Sequence, residues 1–295
     1  MSRVRLEVGS EPFPGVTLVQ LRGRGGFAEV WEAVDKAGVG IALKFMESRN
    51  TTTSSRELRI VHAVQKLQHV NLLRLDRVWS IPDYIVVAME LADGSLLDML
   101  DACITEYHAP LASDMLIAYV KQAAAGLDYL NGRRHSFDSK IVGFQHCDVK
   151  PSNLLLVGDV VKLADFGFCT PTLFAQTPFE RAGTPDFAAP EVHRGQLTDS
   201  SDQYSLAVTY YHLRTGRFPF PVPAGTFRRE YSYARPSPDL SLVPRAERRV
   251  LERALDLEPT RRWPSCTALA TSLAKALADP DAAEHFKPVA MPVIR

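Results

Sequence analysis

Up to about Leu100 the chain alternates short apolar runs with turns, whereas from Leu111 onward longer segments repeat their apolar positions at helical spacing. Such a change of period implies two lobes, the first built on a sheet and the second on helices. In the first lobe VTLVQLRGRGGFAEVWEAVD and VGIALKFMES read as strands around glycine-rich turns. SSRELRIVHAVQKLQ follows with helical spacing, and strands return near LLRLDRVWS and YIVVAMEL, so one helix interrupts the sheet. Further on, LASDMLIAYVKQAAAGLDYLNG is helical and closes on Asn131 and Gly132, a pair that stops helices. SSDQYSLAVTYYHLRTG, PRAERRVLERALDLEP and SCTALATSLAKALAD carry the same period. The last stretch bears prolines and no period, which predicts a tail or linker over 281–295 rather than core.

Composition narrows the classes. A chain of 295 residues with 46% hydrophobic and 23% charged content is ordinary globular material, enough for one large domain or two modest ones. Lys plus Arg and Asp plus Glu balance at 34 each, so no global field favours a nucleic-acid partner or an acidic membrane surface. The four cysteines, Cys103, Cys147, Cys169 and Cys266, form no CxxC pair, which disfavours a disulfide framework and a zinc site and fits a reducing, cytoplasmic setting. The longest apolar stretch, around YIVVAMEL, is far too short to span a bilayer, and the start has no signal-like apolar core.

Several short stretches carry chemistry. GRGGFAEV puts Gly23, Gly25 and Gly26 at a strand-turn-strand, where absent side chains let backbone N–H groups approach an anion. A tight hairpin that needs positive φ accounts for the same glycines without a ligand. Lys44 lies on an apolar strand, where it is either an edge lysine facing water or calls for a carboxylate or phosphate partner, and Glu57 on the following helix is available. HCDVKPSNLLL supplies Asp148 to orient or accept a hydroxyl proton, Lys150 to neutralise developing charge, and Asn153 to offer a carbonyl oxygen to a metal. LADFG adds Asp165, a second carboxylate suited to a hard cation such as magnesium. Phosphoryl transfer uses all of these groups.

The order GRGGFAEV, IALK, a helix glutamate, HVN, MELADGSL, HCDVKPSN, DFG, GTPDFAAPE, SDQYSLA and LEPTRRWP resembles that of eukaryotic-type Ser/Thr protein kinases, over about Val16 to Leu277. The resemblance implies an α+β, bilobal fold within 1–280. An antiparallel sheet lobe with one helix is expected over about 16–90, and a larger, mainly helical lobe over about 93–278. It implies ATP and Mg²⁺ as cofactors, with Mn²⁺ as the alternative ion, and a protein substrate presenting a Ser or Thr hydroxyl. By the same resemblance the glycine loop with Ala28 covers the phosphates, and Lys44 touches them and pairs with Glu57. Asp148 is then the catalytic base, Asn153 and Asp165 hold the metal, Lys150 lies near the transferred phosphate, and Thr184 contacts Asp148 and Lys150. Val30, Ala42 and Leu155 sandwich the adenine, Met89 stands behind it, and the backbone of Glu90, Leu91 and Ala92 binds it. Val61, Leu75, His146 and Phe166 match a stacked spine, with His146 packed as a structural residue. Asp202 is expected to hold the catalytic loop, and Glu191 to pair with Arg262.

Departures from the pattern set further expectations. Ala28 replaces a glycine but stays small, and RRHSFDSKIVGF, residues 133–144, is longer than the family's usual connection. Cys147 replaces an arginine that, in relatives, accumulates repulsion until an activation-segment phosphate neutralises it. Activity is therefore expected to depend little on phosphorylation of Thr170, Thr172 or Thr177. A pseudokinase scaffold that binds ATP with little turnover is the alternative reading. The HCDVKPSN and RRWPSC stretches have a bacterial flavour, and a dimer through the first lobe is left open.

Overall fold

The computed structural model describes residues 5–25, 28–47, 51–81, 83–172, 184–220 and 235–278, those from 51 to 57 by their backbone alone. The chain divides into two compact units, 1–93 and 94–295.

In the first unit β1 (Val16–Arg24), β2 (Ala28–Asp35) and β3 (Gly40–Glu47) are followed by α1 (Thr51–Gln65), β4 (Leu75–Ile81) and β5 (Tyr84–Glu90). They form a five-stranded sheet ordered β1-β2-β3-β5-β4 with every neighbouring pair antiparallel. Because side chains alternate across a strand, the pairs Trp31↔Leu43, Leu43↔Ala88 and Phe45↔Val86 put one apolar set on one face. That set, with Leu18 and Ala33, is a closed core cluster onto which Leu6 and Phe13 pack. Phe13 stacks on Phe45 at 6.1 Å and meets the edge of Trp79 at 4.8 Å. Gly9 N and Leu18 N bind Leu18 O and Ser10 O at 2.8 and 2.9 Å, fastening this leading segment to β1. The opposite face carries Val30, Ala42, Lys44, Val87 and Met89 by the same alternation. Helix α1 packs against β4 and buries Ile60, Val61 and Val64 at helical spacing.

The second unit opens with β6 (Gly94–Ser95) and α2 (Leu96–Tyr107), a helix that the hydrophobic period alone does not announce. A capping box starts it: Ser95 Oγ accepts from Asp98 N while the Asp98 carboxylate accepts from Ser95 N at 2.7 Å. Helix α3 (Ser113–Asn131) buries Leu116, Val120, Ala123, Leu127 and Leu130 along one stripe. Strands β7 (His135–Phe137) and β8 (Lys140–Val142) form a hairpin, so the long connection is an ordered element. Its two-residue turn, Asp138 and Ser139, has φ of 47° and 62°, the doubly left-handed geometry that matches strand twist.

Strand β9 (Phe144–Gln145) next precedes the hairpin of β10 (Leu154–Val157) and β11 (Val160–Leu163), and β12 (Thr170–Pro171) returns to pair with β9. The short α4 (Pro190–His193) precedes α5 (Ser201–Thr215), which is buried on nearly every side. Helices α6 (Arg245–Ala254) and α7 (Cys266–Leu277) complete the unit, with α3 packed on α5, α7 and β11. Among the described residues no helix is long and apolar enough to cross a membrane.

Candidate active site

In the first unit the register sets Val30 and Val87 on either side of Lys44 and Ala42 beside Met89, gathering these residues on one face. Lys44 is half-buried there, on an apolar floor where an ammonium needs a counter-charge. The side chain of Glu57, its expected partner, and the whole of Gly26 lie outside the described residues. Gly23 pairs with Val30, and Gly25 N donates to Ala28 O at 2.8 Å. Neither glycine has a positive φ. A Cβ on Gly23 would meet no described atom within 4 Å, and one on Gly25 only Ala28 O at 3.8 Å. Left-handed backbone therefore does not explain these two glycines. Glu90 closes the ladder with Ile41, and Leu91 and Ala92 run past it with backbone groups that the sheet does not use.

In the second unit the first pair of the β10–β11 hairpin is Leu154↔Leu163. Asn153 consequently faces Ala164, whose N–H donates to Asn153 O at 2.9 Å. Asp165 is next along the chain, so both oxygen-bearing side chains stand at the open end of one hairpin. Asp165 has left-handed backbone, φ 62° and ψ 67°, and its carboxylate accepts from Gly167 N at 3.4 Å. Leu155 is half-buried, on the opposite face from the buried Leu154 and Leu156.

Asp148 is the hub, its side chain only 1% exposed. Its Oδ1 accepts from Thr184 N at 2.8 Å and from Thr184 Oγ1 at 2.9 Å. Its Oδ2 accepts from Asn153 Nδ2 at 2.8 Å and meets Lys150 Nζ at 2.9 Å. Lys150 Nζ also donates to Thr184 Oγ1 at 2.6 Å, which closes the ring. Asn153 Nδ2 donates in addition to Asp148 O at 2.9 Å, so the amide nitrogen is committed and the carbonyl oxygen is what Asn153 has to offer a cation. Four residues that motif order alone relates thus form one hydrogen-bonded cage.

The loop that carries Asp148 is tied down from α5. Asp202 Oδ2 accepts from His146 N at 2.7 Å, and Oδ1 accepts from Cys147 N at 2.9 Å. Burial raises the pKa of Asp202, against the lowering effect of these backbone hydrogen bonds. The side-chain amide of Asn131, at the end of α3, lies against Asp202 Oδ2 and Phe144 O, and the orientation that satisfies both acceptors turns its nitrogen to them at 3.0 and 2.6 Å. Sequence reasoning treats this residue only as a helix stop. His146 is fully buried, with Nε2 at 2.9 Å from Ala164 O and Nδ1 accepting from Asp148 N at 3.3 Å. Those partners require a neutral ring protonated on Nε2, and its contact with Phe166 at 5.5 Å makes it a packed structural histidine. Cys147 is buried at φ 66°, and its Sγ donates to Gln145 O at 3.4 Å. Burial, then Asp202 and Cys169, push its thiol well above the usual range, so it stays protonated.

The segment beyond Asp165 is held by the 133–144 connection. Thr170 and Pro171 pair with Gln145 and Phe144, and Thr172 exchanges hydrogen bonds with Gly143, N to O at 2.9 Å and Oγ1 from N at 3.2 Å. A Cβ on Gly143 would stand 2.1 Å from Asn131 O, so only glycine fits against the end of α3. Thr170 departs from expectation as a phosphate acceptor: it is buried, and its hydroxyl donates to Phe168 O at 3.1 Å. Thr177 lies outside the described residues. Farther along, Glu191 and Arg262 form the expected pair at 2.7 and 2.8 Å, with the Arg262 side chain fully buried. Burial alone would raise the Glu191 pKa, but Arg262 and Ser201 hold it below its usual value.

Residues 16–273 match the family model described as protein kinase domain. The chain is 34% identical over 213 residues to the serine/threonine-protein kinase TIO of Arabidopsis thaliana, a match covering 69% of this chain and 15% of that protein. It is 33% identical over 214 residues to a probable serine/threonine-protein kinase of Dictyostelium discoideum, covering 69% and 40% of the two chains. The CBL-interacting protein kinase 4 of Oryza sativa subsp. japonica is 32% identical over 270 residues, 85% of this chain and 56% of that one. The match therefore spans about half or less of each of these curated relatives, and all three are eukaryotic.

Proposed function

Because the chain belongs to the protein kinase domain family, we propose that it transfers the γ-phosphoryl group of ATP to Ser or Thr hydroxyls of protein substrates. The observation that carries this reading is the closed cage of Asp148, Lys150, Asn153 and Thr184. Asp148 orients the acceptor hydroxyl and takes its proton, and hydrogen bonds to both carboxylate oxygens keep it an acceptor in a fixed direction. Lys150 is 23% exposed, so its ammonium can reach outward to the transferred group without leaving the cage. The Asn153 carbonyl and the Asp165 carboxylate offer only oxygen ligands, a set that fits Mg²⁺ or Mn²⁺ held jointly with nucleotide phosphates. When bound, ATP supplies the phosphoryl group and the metal neutralises its oxygens. Within the first unit, Lys44 and the open backbone around Gly23 and Gly25 suit phosphates, and Val30, Ala42 and Met89 suit the base.

The same reading takes the loop as assembled without a phosphate on the segment after Asp165. Cys147 brings no charge to be neutralised, the loop is tied to Asp202, and Thr172 is engaged with Gly143. The 133–144 hairpin contributes in phosphorylation's place by pairing through β9 with β12. Incubation with Mg·ATP and generic protein substrates, beside an Asp165→Asn control, tests the proposal. Phosphoserine or phosphothreonine is expected with the parent chain only. Nucleotide binding without transfer would instead identify a scaffold.

A further inference from the structure

Arg235 belongs to none of the catalytic motifs, yet it is the residue on which the segment between Thr184 and Glu191 converges. Its Nη2 donates to Asp186 O at 2.9 Å and to Ala188 O at 2.7 Å. Its Nε donates to Tyr204 Oη at 3.2 Å. The guanidinium lies over the ring of Phe220 at 4.3 Å, and Phe220 stacks on Tyr204 at 6.3 Å with planes 6° apart. Arg262 lies over Tyr204 at 4.9 Å while gripping Glu191. One continuous stack therefore joins two backbone carbonyls of the segment to the buried ion pair at its end.

We propose that Arg235 is a positioning residue for the peptide substrate, fixing the carbonyls of Asp186 and Ala188 so that the chain between the Asp148 contact and α4 presents one fixed surface to the incoming polypeptide. The inference rests on the protein kinase reading, because only there does this segment lie under a peptide. Thr184 holds the near end of the segment to Asp148, and Arg262 holds the far end at Glu191. Phe187 N and Ala188 N turn back onto Thr184 O at 3.1 and 3.3 Å, so the N–H groups are used locally while Arg235 takes the two carbonyls. A planar fork that donates in several directions and stacks on a ring suits this task, and a lysine has neither the plane nor the fork. No atom of Arg235 enters the Asp148 cage, so its loss should act on peptide binding and spare nucleotide handling.

The test compares the parent chain with Arg235→Lys and Tyr204→Phe, which keep the charge and the ring respectively. Three quantities are read: steady-state constants for a Ser/Thr peptide, peptide-independent ATP hydrolysis, and amide hydrogen exchange at 185–189. For Arg235→Lys the peptide KM should rise about tenfold, as expected for losing one hydrogen bond of a charged donor. The KM for ATP and the basal hydrolysis should stay within about twofold, and exchange at 185–189 should quicken. Tyr204→Phe should move the same quantities in the same direction by less. Unchanged exchange, an unchanged peptide KM, or a parallel fall in every kinetic constant each overturns the proposal. If the parent chain hydrolyses ATP but phosphorylates no peptide, the protein kinase reading has failed, and faster exchange in Arg235→Lys would then leave Arg235 a structural anchor only.

Discussion

Asp202→Asn is the change from which the geometry of the catalytic loop can be weighed. The carboxylate accepts from two successive N–H groups, those of His146 at 2.7 Å and Cys147 at 2.9 Å. Hydrogen bonds to a charged acceptor contribute about 1.5–3 kcal/mol each, so the pair contributes roughly 3–6 kcal/mol. Asparagine keeps one neutral acceptor, worth about 0.5–1.5 kcal/mol, and turns an N–H toward the other donor. Part of the loss is offset because burial makes the Asp202 charge costly, as its raised pKa indicates. The net expectation is a stability loss of about 1–3 kcal/mol, read as the urea midpoint. Turnover should fall further. Cys147 is held at φ 66°, which costs a residue with a Cβ about 1–2 kcal/mol, and the loop will relax from it once Asp202 lets go. Asp148 follows directly, and a displacement of about 1 Å in a catalytic group is worth roughly a hundredfold in rate. Initial rates at saturating Mg·ATP, on protein verified as folded, make the comparison. Turnover within about threefold of the parent, roughly 0.6 kcal/mol in barrier, with an unchanged urea midpoint would refute the claim that Asp202 holds the loop.

Other expectations concern glycines and pH. Gly23→Ala should leave stability within about 0.5 kcal/mol, because its Cβ meets nothing described within 4 Å, and, on the proposed reading of the loop as a phosphate cover, should raise the KM for ATP several-fold. Gly143→Ala should destabilise by about 1–3 kcal/mol or more, since its Cβ falls 2.1 Å from the Asn131 carbonyl oxygen and backbone cannot step aside; calorimetry separates the two. Glu191 is held below its usual pKa of 4.5, so its contribution to stability is present above that value and is lost as pH falls through the lower folded-state pKa. Urea midpoints measured from neutral pH downward should therefore drop more steeply for the parent than for Glu191→Gln, and parallel curves would argue against the assignment. Asp202, with its pKa raised, works in the opposite sense: its contribution is full below 3.8 and falls as pH rises.

Much of this was legible because strands and helices here obey their periods. The alternation in IALKF and YIVVAME sets Lys44 and Met89 on the face opposite Phe45 and Ala88, which is the arrangement found. Helix α2 was not legible from period, although Ser95 and Asp98 carry a capping-box spacing that could have revealed it. The 133–144 hairpin turns on Asp138 and Ser139 rather than on Asn-Gly, so its turn chemistry is weak in sequence. The site residues were legible as a list, and the resemblance supplied the contacts of Thr184 with Asp148 and Lys150, of Asp202 with the loop and of Glu191 with Arg262, but composition and period alone supplied none of this bonding. Thr184 reaches Asp148 across 36 positions and Arg235 reaches Ala188 across 47, distances at which no local signal exists. Thr170 illustrates the converse, a hydroxyl that looks accessible until β12 pairs with β9 and buries it.

The central claim, a Ser/Thr protein kinase whose catalytic loop is held by Asp202 and neutral contacts rather than by a phosphate, meets its most direct test in protein freed of phosphate and confirmed so by intact mass. Given Mg·ATP and a Ser/Thr peptide, such protein should transfer phosphate linearly from the first turnover, with Asp148→Asn inactive and a Thr172 and Thr177 double-alanine variant close to the parent. No transfer to peptide, or a lag followed by activation of about tenfold or more as phosphate accumulates on the chain, roughly 1.4 kcal/mol in barrier, would contradict it.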